Sequence, residues 1–183
     1  MIDRRYLNLD ITTRCTLACP ACRRTDYLNR GVKINGEDMP FEDFTKICEY
    51  FDHLLFCGGV SDPVFHPQFV KFLEYSKNKK VGIHNAASHK SIDWYKTAFN
   101  ANPNATWYFG LDGLPKESHK YRINQDGVKL FEVMKIAVNM GMRVVWQYLV
   151  FDYNKDHIED ARSLAEGMTF SVKKPRTFKS GAT

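Results

Sequence analysis

Val128-Lys129-Leu130-Phe131-Glu132-Val133-Met134-Lys135-Ile136-Ala137-Val138-Asn139-Met140-Gly141-Met142-Arg143-Val144-Val145-Trp146-Gln147-Tyr148-Leu149-Val150-Phe151 carries two patterns in succession. From 128 to 140, Leu130, Phe131, Met134, Ala137 and Val138 recur at helical spacing and share one face. Gly141 then stands where a helix stops, because glycine takes the left-handed conformation without a Cβ clash. From 144 to 151 the run is apolar, β-branched and aromatic, the composition of a buried strand. A helix that delivers the chain directly into such a strand is half of a strand-helix-strand unit.

Reading outward, the alternation recurs. Strand-like runs lie at 6–12, 54–57, 81–85, 106–112, 144–151 and 168–172, and helical periods lie at 41–51, 67–75, 92–99, 128–140 and 155–165. In the last of these, Asn154 is placed to cap the N-terminus, with Ile158, Ala161, Leu164 and Ala165 facing inward. Strands joined by helices run parallel and cross over right-handedly, so the pattern gives an α/β fold whose sheet is open or curled into a partial barrel. Chemistry in such folds sits in loops at the C-terminal strand ends. The residues that stand out follow strands: a cysteine-rich loop after the first, Gly58-Gly59 after the second, Asn85 closing the third and Asp112 closing the fourth.

At 183 residues and 44% hydrophobic the chain suits one domain, and a 14% aromatic share argues against disorder. No stretch approaches the roughly 20 apolar residues of a membrane span, and Met1-Ile2-Asp3-Arg4-Arg5 leads in without an apolar signal core. No membrane association is expected, and a cytoplasmic location is. Of the net charge of +5, Lys173, Lys174, Arg176 and Lys179 supply four. The expected organisation is therefore a core domain over 1–172 and a basic tail over 173–183. A short basic terminus is an ordinary solvated end, so nucleic acid is not the expected partner.

Without a secretory signal, five cysteines point to ligation or redox work rather than to a disulfide framework. Cys48 shares a helical face with Phe41, Phe44, Ile47 and Phe51, and Cys57 ends the run Leu54-Leu55-Phe56; both read as small buried hydrophobes. The other three lie in Cys15-Thr16-Leu17-Ala18-Cys19-Pro20-Ala21-Cys22. Soft thiolates select iron-sulfur clusters, zinc or copper. Three ligands on one loop without a fourth leave a metal position open, as catalytic sites do.

Ile11-Thr12-Thr13-Arg14-Cys15-Thr16-Leu17-Ala18-Cys19-Pro20-Ala21-Cys22 resembles the CxxxCxxC loop of the radical S-adenosylmethionine (radical SAM) superfamily, which also follows a first strand. The resemblance implies a partial (βα)6 TIM-like barrel with a 4Fe-4S cluster on Cys15, Cys19 and Cys22 and S-adenosylmethionine on its open iron. It further implies reductive cleavage to methionine and a 5′-deoxyadenosyl radical, which takes hydrogen from a peptide or small-molecule substrate. An electron donor such as flavodoxin or ferredoxin follows. The family usually has an aromatic residue before the third cysteine, against the adenine; here it is Ala21, and Tyr27 or a later aromatic is the candidate substitute. Many relatives continue into a C-terminal domain with further cysteines. None follows residue 172 here, so a minimal enzyme or a fragment is expected.

Phe56-Cys57-Gly58-Gly59-Val60-Ser61-Asp62-Pro63 is similar to the family's glycine-rich segment that accepts the methionine amino group, with Asp62 as its acidic residue. Side chains at Gly58 or Gly59 are expected to project toward the cysteine loop. The resemblance also places Asn85 and Asp112 near the cofactor and sets Arg122 against its carboxylate, a pairing that suits a planar guanidinium. Gln147, polar within an apolar strand, must find a partner or face a cavity, and is expected on the cofactor side. His66, His84, His89, His119 and His157 do not converge on a metal motif and carry no expected chemistry. The rival reading is a thiol-disulfide oxidoreductase built on Cys19-Pro20-Ala21-Cys22, which leaves Cys15 without a role. A noncatalytic cluster or zinc module is a third.

Overall fold

Six parallel strands pair in chain order: β1 (Tyr6–Leu9), β2 (His53–Phe56), β3 (Lys80–Asn85), β4 (Thr106–Gly110), β5 (Arg143–Leu149) and β6 (Thr169–Lys173). The computed structural model describes residues 6–175. Helices α1 (Arg23–Asn29), α2 (Phe41–Tyr50), α3 (Phe69–Tyr75), α4 (Ile92–Ala101), α5 (Gly127–Asn139) and α6 (Ile158–Leu164) fall between the strands. This is the α/β architecture expected, with strand order equal to chain order, as in a barrel left open between β1 and β6.

The two faces of the sheet differ. Leu54, Phe56, Ile83, Trp107, Phe109, Val144 and Trp146 alternate onto one face and are buried under helices whose apolar stripes supply Phe44, Phe72, Tyr95, Phe99, Leu130 and Met134. Aromatic rings bind the layers together: Phe44 stacks on Phe72 at 4.2 Å, and Trp107 meets Phe99 edge-on at 5.0 Å. The register puts His84 beside Tyr108, Tyr108 beside Val145, and Gly110 beside Gln147. These share the opposite face, where side chains are only half-buried. That open face is the concave side on which a ligand has room.

Several boundaries differ from the sequence reading. The apolar runs outlast the paired strands, so β1 stops at Leu9 rather than 12 and β4 at Gly110, leaving Asp112 in the following loop. Helix α1 was not expected, and none of its residues is buried, so it has no apolar stripe to read. Asn154 does not cap α6. A short 3-10 turn, Lys155–His157, intervenes, and the Asn154 side chain turns back, its Nδ2 donating to Leu149 O while its Oδ1 accepts from Phe151 N. Leu164 is 44% exposed rather than inward. Gly141, at φ 77°, ends α5 as expected. Strand β6 takes in Lys173, one residue past the 172 boundary; Arg176 and Lys179 lie outside the described residues.

Candidate active site

The cysteine loop leaves the end of β1 at the mouth of the sheet and is tied down on three sides. Arg14 pairs with Asp38 at 2.6 Å, and Thr12 Oγ1 donates to the same carboxylate at 2.6 Å. Asp62 N donates to Arg14 O, and Ala18 N donates to Ile123 O. Asn124, in the left-handed conformation at φ 72°, donates from Nδ2 to Thr16 O. Cys22 immediately precedes α1, and its N–H donates to Cys19 O. All three thiols are free, Cys19 buried and Cys15 and Cys22 half-buried. Burial pushes the Cys15 and Cys19 thiols above their ordinary value.

Asp62, expected beside the cofactor, is 4% exposed and joins two mouth loops. Its carboxylate accepts from Ala86 N at 2.7 Å and Ala87 N at 2.9 Å. It also accepts from Asn85 Nδ2 and Val64 N. Burial pushes its carboxyl up, and these donors oppose that shift. Asn85 is occupied likewise: its Nδ2 also reaches Ala87 O, and its Oδ1 accepts from Tyr95 Oη at 3.0 Å.

The glycine pair works differently from the expectation. A Cβ on Gly58 would run into the Ser61 carbonyl of the same loop, and one on Gly59 would come 2.7 Å from Asp10 Oδ2. Gly59 N donates to that carboxylate at 2.9 Å, and Ser61 Oγ donates to it at 2.7 Å. Neither glycine has positive φ. Their missing side chains serve a tight loop packed on itself and on Asp10, and do not face Cys15 to Cys22.

Beyond β4, Asp112 is fully buried and its Oδ2 lies 2.7 Å from Arg122 Nε. Its Oδ1 accepts from Leu149 N, which locks the loop to β5. Burial pushes the Asp112 carboxyl up against the pull of Arg122. For Arg122, burial works against the charge, and Asp112, Cys19 and Tyr121 outweigh it, so the guanidinium is held firmly protonated. It lies flat over Gly110, where a Cβ would come 2.7 Å from Nη2. Gln125, which the sequence reading passed over, bridges this region: its Nε2 donates to Ala86 O at 2.6 Å and Gly110 O at 2.9 Å.

These loops enclose a cavity of about 260 Å³ lined by Gly58, Asp62, Asn85 and Arg122 from the mouth and by His84, Tyr108 and Gln147 from the open sheet face. Of the expected residues it gathers five, Gly58, Asp62, Asn85, Arg122 and Gln147; Gly59, Asp112 and the three loop cysteines are not part of its lining. Gln147 faces the cavity, as its isolation in an apolar strand implied, and its Oε1 lies 3.1 Å from His84 Nδ1. His84 was missed because the histidines were compared with one another, whereas its alternation with buried Ile83 and Asn85 along β3 was the usable signal. Cys57 also lines the cavity and is half-buried, rather than a core residue.

The donor set suits an iron-sulfur cluster in kind: three soft sulfurs on one short loop, all reduced, with Leu17 N donating to Cys15 Sγ at 3.4 Å. Amide donors to ligating sulfur are one of the protein's means of tuning such clusters. Among the described residues no three Cys, His, Asp or Glu side chains converge on one point that would hold a metal ion. The site fits the cluster by ligand chemistry, three free thiols carried on one loop. No described helix is long and apolar enough to cross a membrane.

No family profile matches the chain. In sequence it is 28% identical over 118 residues to the tungsten-containing aldehyde ferredoxin oxidoreductase cofactor-modifying protein of Pyrococcus furiosus, covering 61% of this chain and 32% of that protein. In structure it is similar to Streptococcus suis SuiB bound to S-adenosylmethionine, with a TM-score of 0.76, 15% identity, and coverage of 96% of this chain and 42% of SuiB. SuiB has also been solved with its precursor peptide SuiA, where the TM-score is 0.72, identity is 13%, and coverage is 92% of this chain and 39% of that one. Methylornithine synthase is similar at a TM-score of 0.64 and 18% identity, with coverage of 94% of this chain and 55% of that one. The chain thus has the partial-barrel fold of radical SAM enzymes. It spans about a third of the length of the curated relative and less than half of SuiB.

Proposed function

We propose that this chain is the core of a radical SAM enzyme, in which Cys15, Cys19 and Cys22 hold a 4Fe-4S cluster beside a bound S-adenosylmethionine. When bound, the cluster supplies the electron that cleaves S-adenosylmethionine to methionine and a 5′-deoxyadenosyl radical, leaving the protein to orient and shield. The observation that carries this reading is positional. Three free cysteines stand on the loop after β1, at the C-terminal end of a parallel sheet, and Cys19 lies near enough to Arg122, which lines the cavity, for their charges to act on one another. A CxxC redox couple accounts less well for the site, since Cys19 is buried and Cys15 has no part in it.

The chain's own residues then divide their work. Arg122, held by Asp112, offers a fixed guanidinium to the cofactor carboxylate. Gly58 brings loop backbone to the cavity, and Gly59, through Asp10, sets that loop's path. Asp62 and Asn85 are positioning residues that hold the second and third mouth loops in register, and Gln147, on the open sheet face, lies where cofactor and substrate meet. A flavodoxin- or ferredoxin-type protein supplies the electron. The substrate is a peptide, a class supported by the peptide-bound form of SuiB. Anaerobic reconstitution with iron and sulfide, followed by dithionite and S-adenosylmethionine, tests the reading: 5′-deoxyadenosine forms. A cluster-loaded protein that binds S-adenosylmethionine and yields none contradicts it.

A further inference from the structure

His84 on β3 and Gln147 on β5 meet across Tyr108 of β4 on the open face. His84 Nδ1 lies 3.1 Å from Gln147 Oε1. The imidazole stacks on the Tyr108 ring, with 4.8 Å between centroids and 12° between planes. The stack fixes the plane of the imidazole and the hydrogen bond fixes its rotation. Both residues line the 260 Å³ cavity, and among the described residues neither His84 Nε2 nor the Gln147 amide nitrogen has a hydrogen-bond partner.

The chemistry of the two groups leaves a defined pattern. With Gln147 Oε1 accepting, the imidazole hydrogen sits on Nδ1, so His84 Nε2 is a bare acceptor and the Gln147 NH₂ an unused donor. Turning the amide over moves the hydrogen to Nε2 and frees Oε1, which exchanges the roles and removes neither. In both arrangements one donor and one acceptor are left over on two hydrogen-bonded residues that line the cavity. Burial holds the imidazole's proton affinity below its ordinary value, and Lys173 and Arg122, the charged groups facing it, act in the same sense, while Gln147 opposes. The ring is therefore neutral at neutral pH and the pattern persists.

An extended peptide presents the matching pattern, because the N–H and C=O of a single residue point to the same side of the strand. We propose that His84 and Gln147, set by Tyr108, are a substrate-reading pair that takes the backbone N–H and C=O of one residue of an extended peptide. This rests on the reading of the open face as the reaction chamber and names what is held there. Removing the substrate's N–H leaves a pocket acceptor without a partner, and that is how such sites discriminate.

The test is nuclear magnetic resonance on the whole chain with ¹⁵N-labelled histidine and glutamine side chains. It uses two probes, acetyl-alanine N-methylamide and its O-acetyl-lactic counterpart, in which an ester oxygen replaces the N–H. With probe at about 0.1 M, the range suited to so small a ligand, the peptide shifts the His84 and Gln147 signals and the ester shifts them several-fold less. Gln147→Met abolishes the difference at His84. Gln147→Glu, which keeps the shape and lacks the donor, serves if the Met variant unfolds. Equal shifts from both probes, no shift from the peptide, or an undiminished response in the variant overturns the proposal. S-adenosylmethionine binding, measured on cluster-loaded protein, reports separately on the function proposed above.

Discussion

Removing the Asp62 carboxylate separates two loops that form the mouth of the cavity. In Asp62→Ala, Ala86 N and Ala87 N lose acceptors at 2.7 and 2.9 Å, and Val64 N loses one at 3.3 Å. Asn85 Nδ2 keeps Ala87 O and is spared. An unsatisfied buried donor costs about 1–3 kcal/mol. Ala87 is fully buried and bears that cost in full; Ala86, half-buried, is partly rescued by water. Relief from burying a carboxylate offsets some of the loss, so the net destabilisation is about 2–4 kcal/mol. Asp62→Asn retains one acceptor for the Ala86 and Ala87 amides and turns an NH₂ toward Val64 N, so it costs less, about 1–2 kcal/mol. Urea unfolding at pH 7, with unchanged slopes to certify comparable transitions, measures both. An alanine variant within about 0.5 kcal/mol of wild type, the range of ordinary surface substitutions, or an asparagine variant less stable than the alanine one, would refute the staple.

Gly58→Val is expected to destabilise more than Gly59→Val, because Gly58 meets loop backbone and Gly59 the end of a side chain that swings away; thermal unfolding of both orders them, and the reverse order contradicts the packing. His66 is 2% exposed, with Nδ1 accepting from Gln68 N at 3.1 Å and Nε2 donating to Met39 O at 3.0 Å. Burial holds its pKa below the ordinary 6.5, with Met39 and Asp38 opposing and Arg14 reinforcing. Below pH 6.5 the unfolded chain takes up this proton before the folded one, so His66 contributes stability that is present above that pH and lost as pH falls through the folded value. His66→Gln should flatten the acid limb of a stability-against-pH curve; an unchanged limb removes His66 from the account.

The sheet was legible because strand composition and helical period alternate from 41 to 172, and each apolar run needed only its neighbours to be placed. What the pattern could not show follows from physics acting across the fold. Helix α1 buries nothing, so it leaves no stripe. Asp112 reads as a strand terminus, yet pairing ends at Gly110 and the carboxylate turns to Arg122. Asn154 has the chemistry of a cap and is used instead to hold the turn after β5. The cysteines and Gln147 announced themselves by type in context. His84 acquires meaning from a partner 63 residues away, and Gln125 from partners as far as 39 residues away. The two glycines were noticed for the right reason, close approach, but the approaching atoms belong to Ser61 and Asp10.

The central claim concerns the three sulfurs of one loop, and iron content after anaerobic reconstitution tests it most directly. Wild type, Cys48→Ala and Cys57→Ala are compared with Cys15→Ala, Cys19→Ala and Cys22→Ala. Wild type and the first two variants should hold about four irons per chain with the brown absorbance of a cluster, Cys48→Ala paying only a packing loss. Each loop variant should lose both signals while its far-ultraviolet circular dichroism remains that of a folded α/β protein. Full iron in any folded loop variant, or one zinc in wild type in place of iron, contradicts the account.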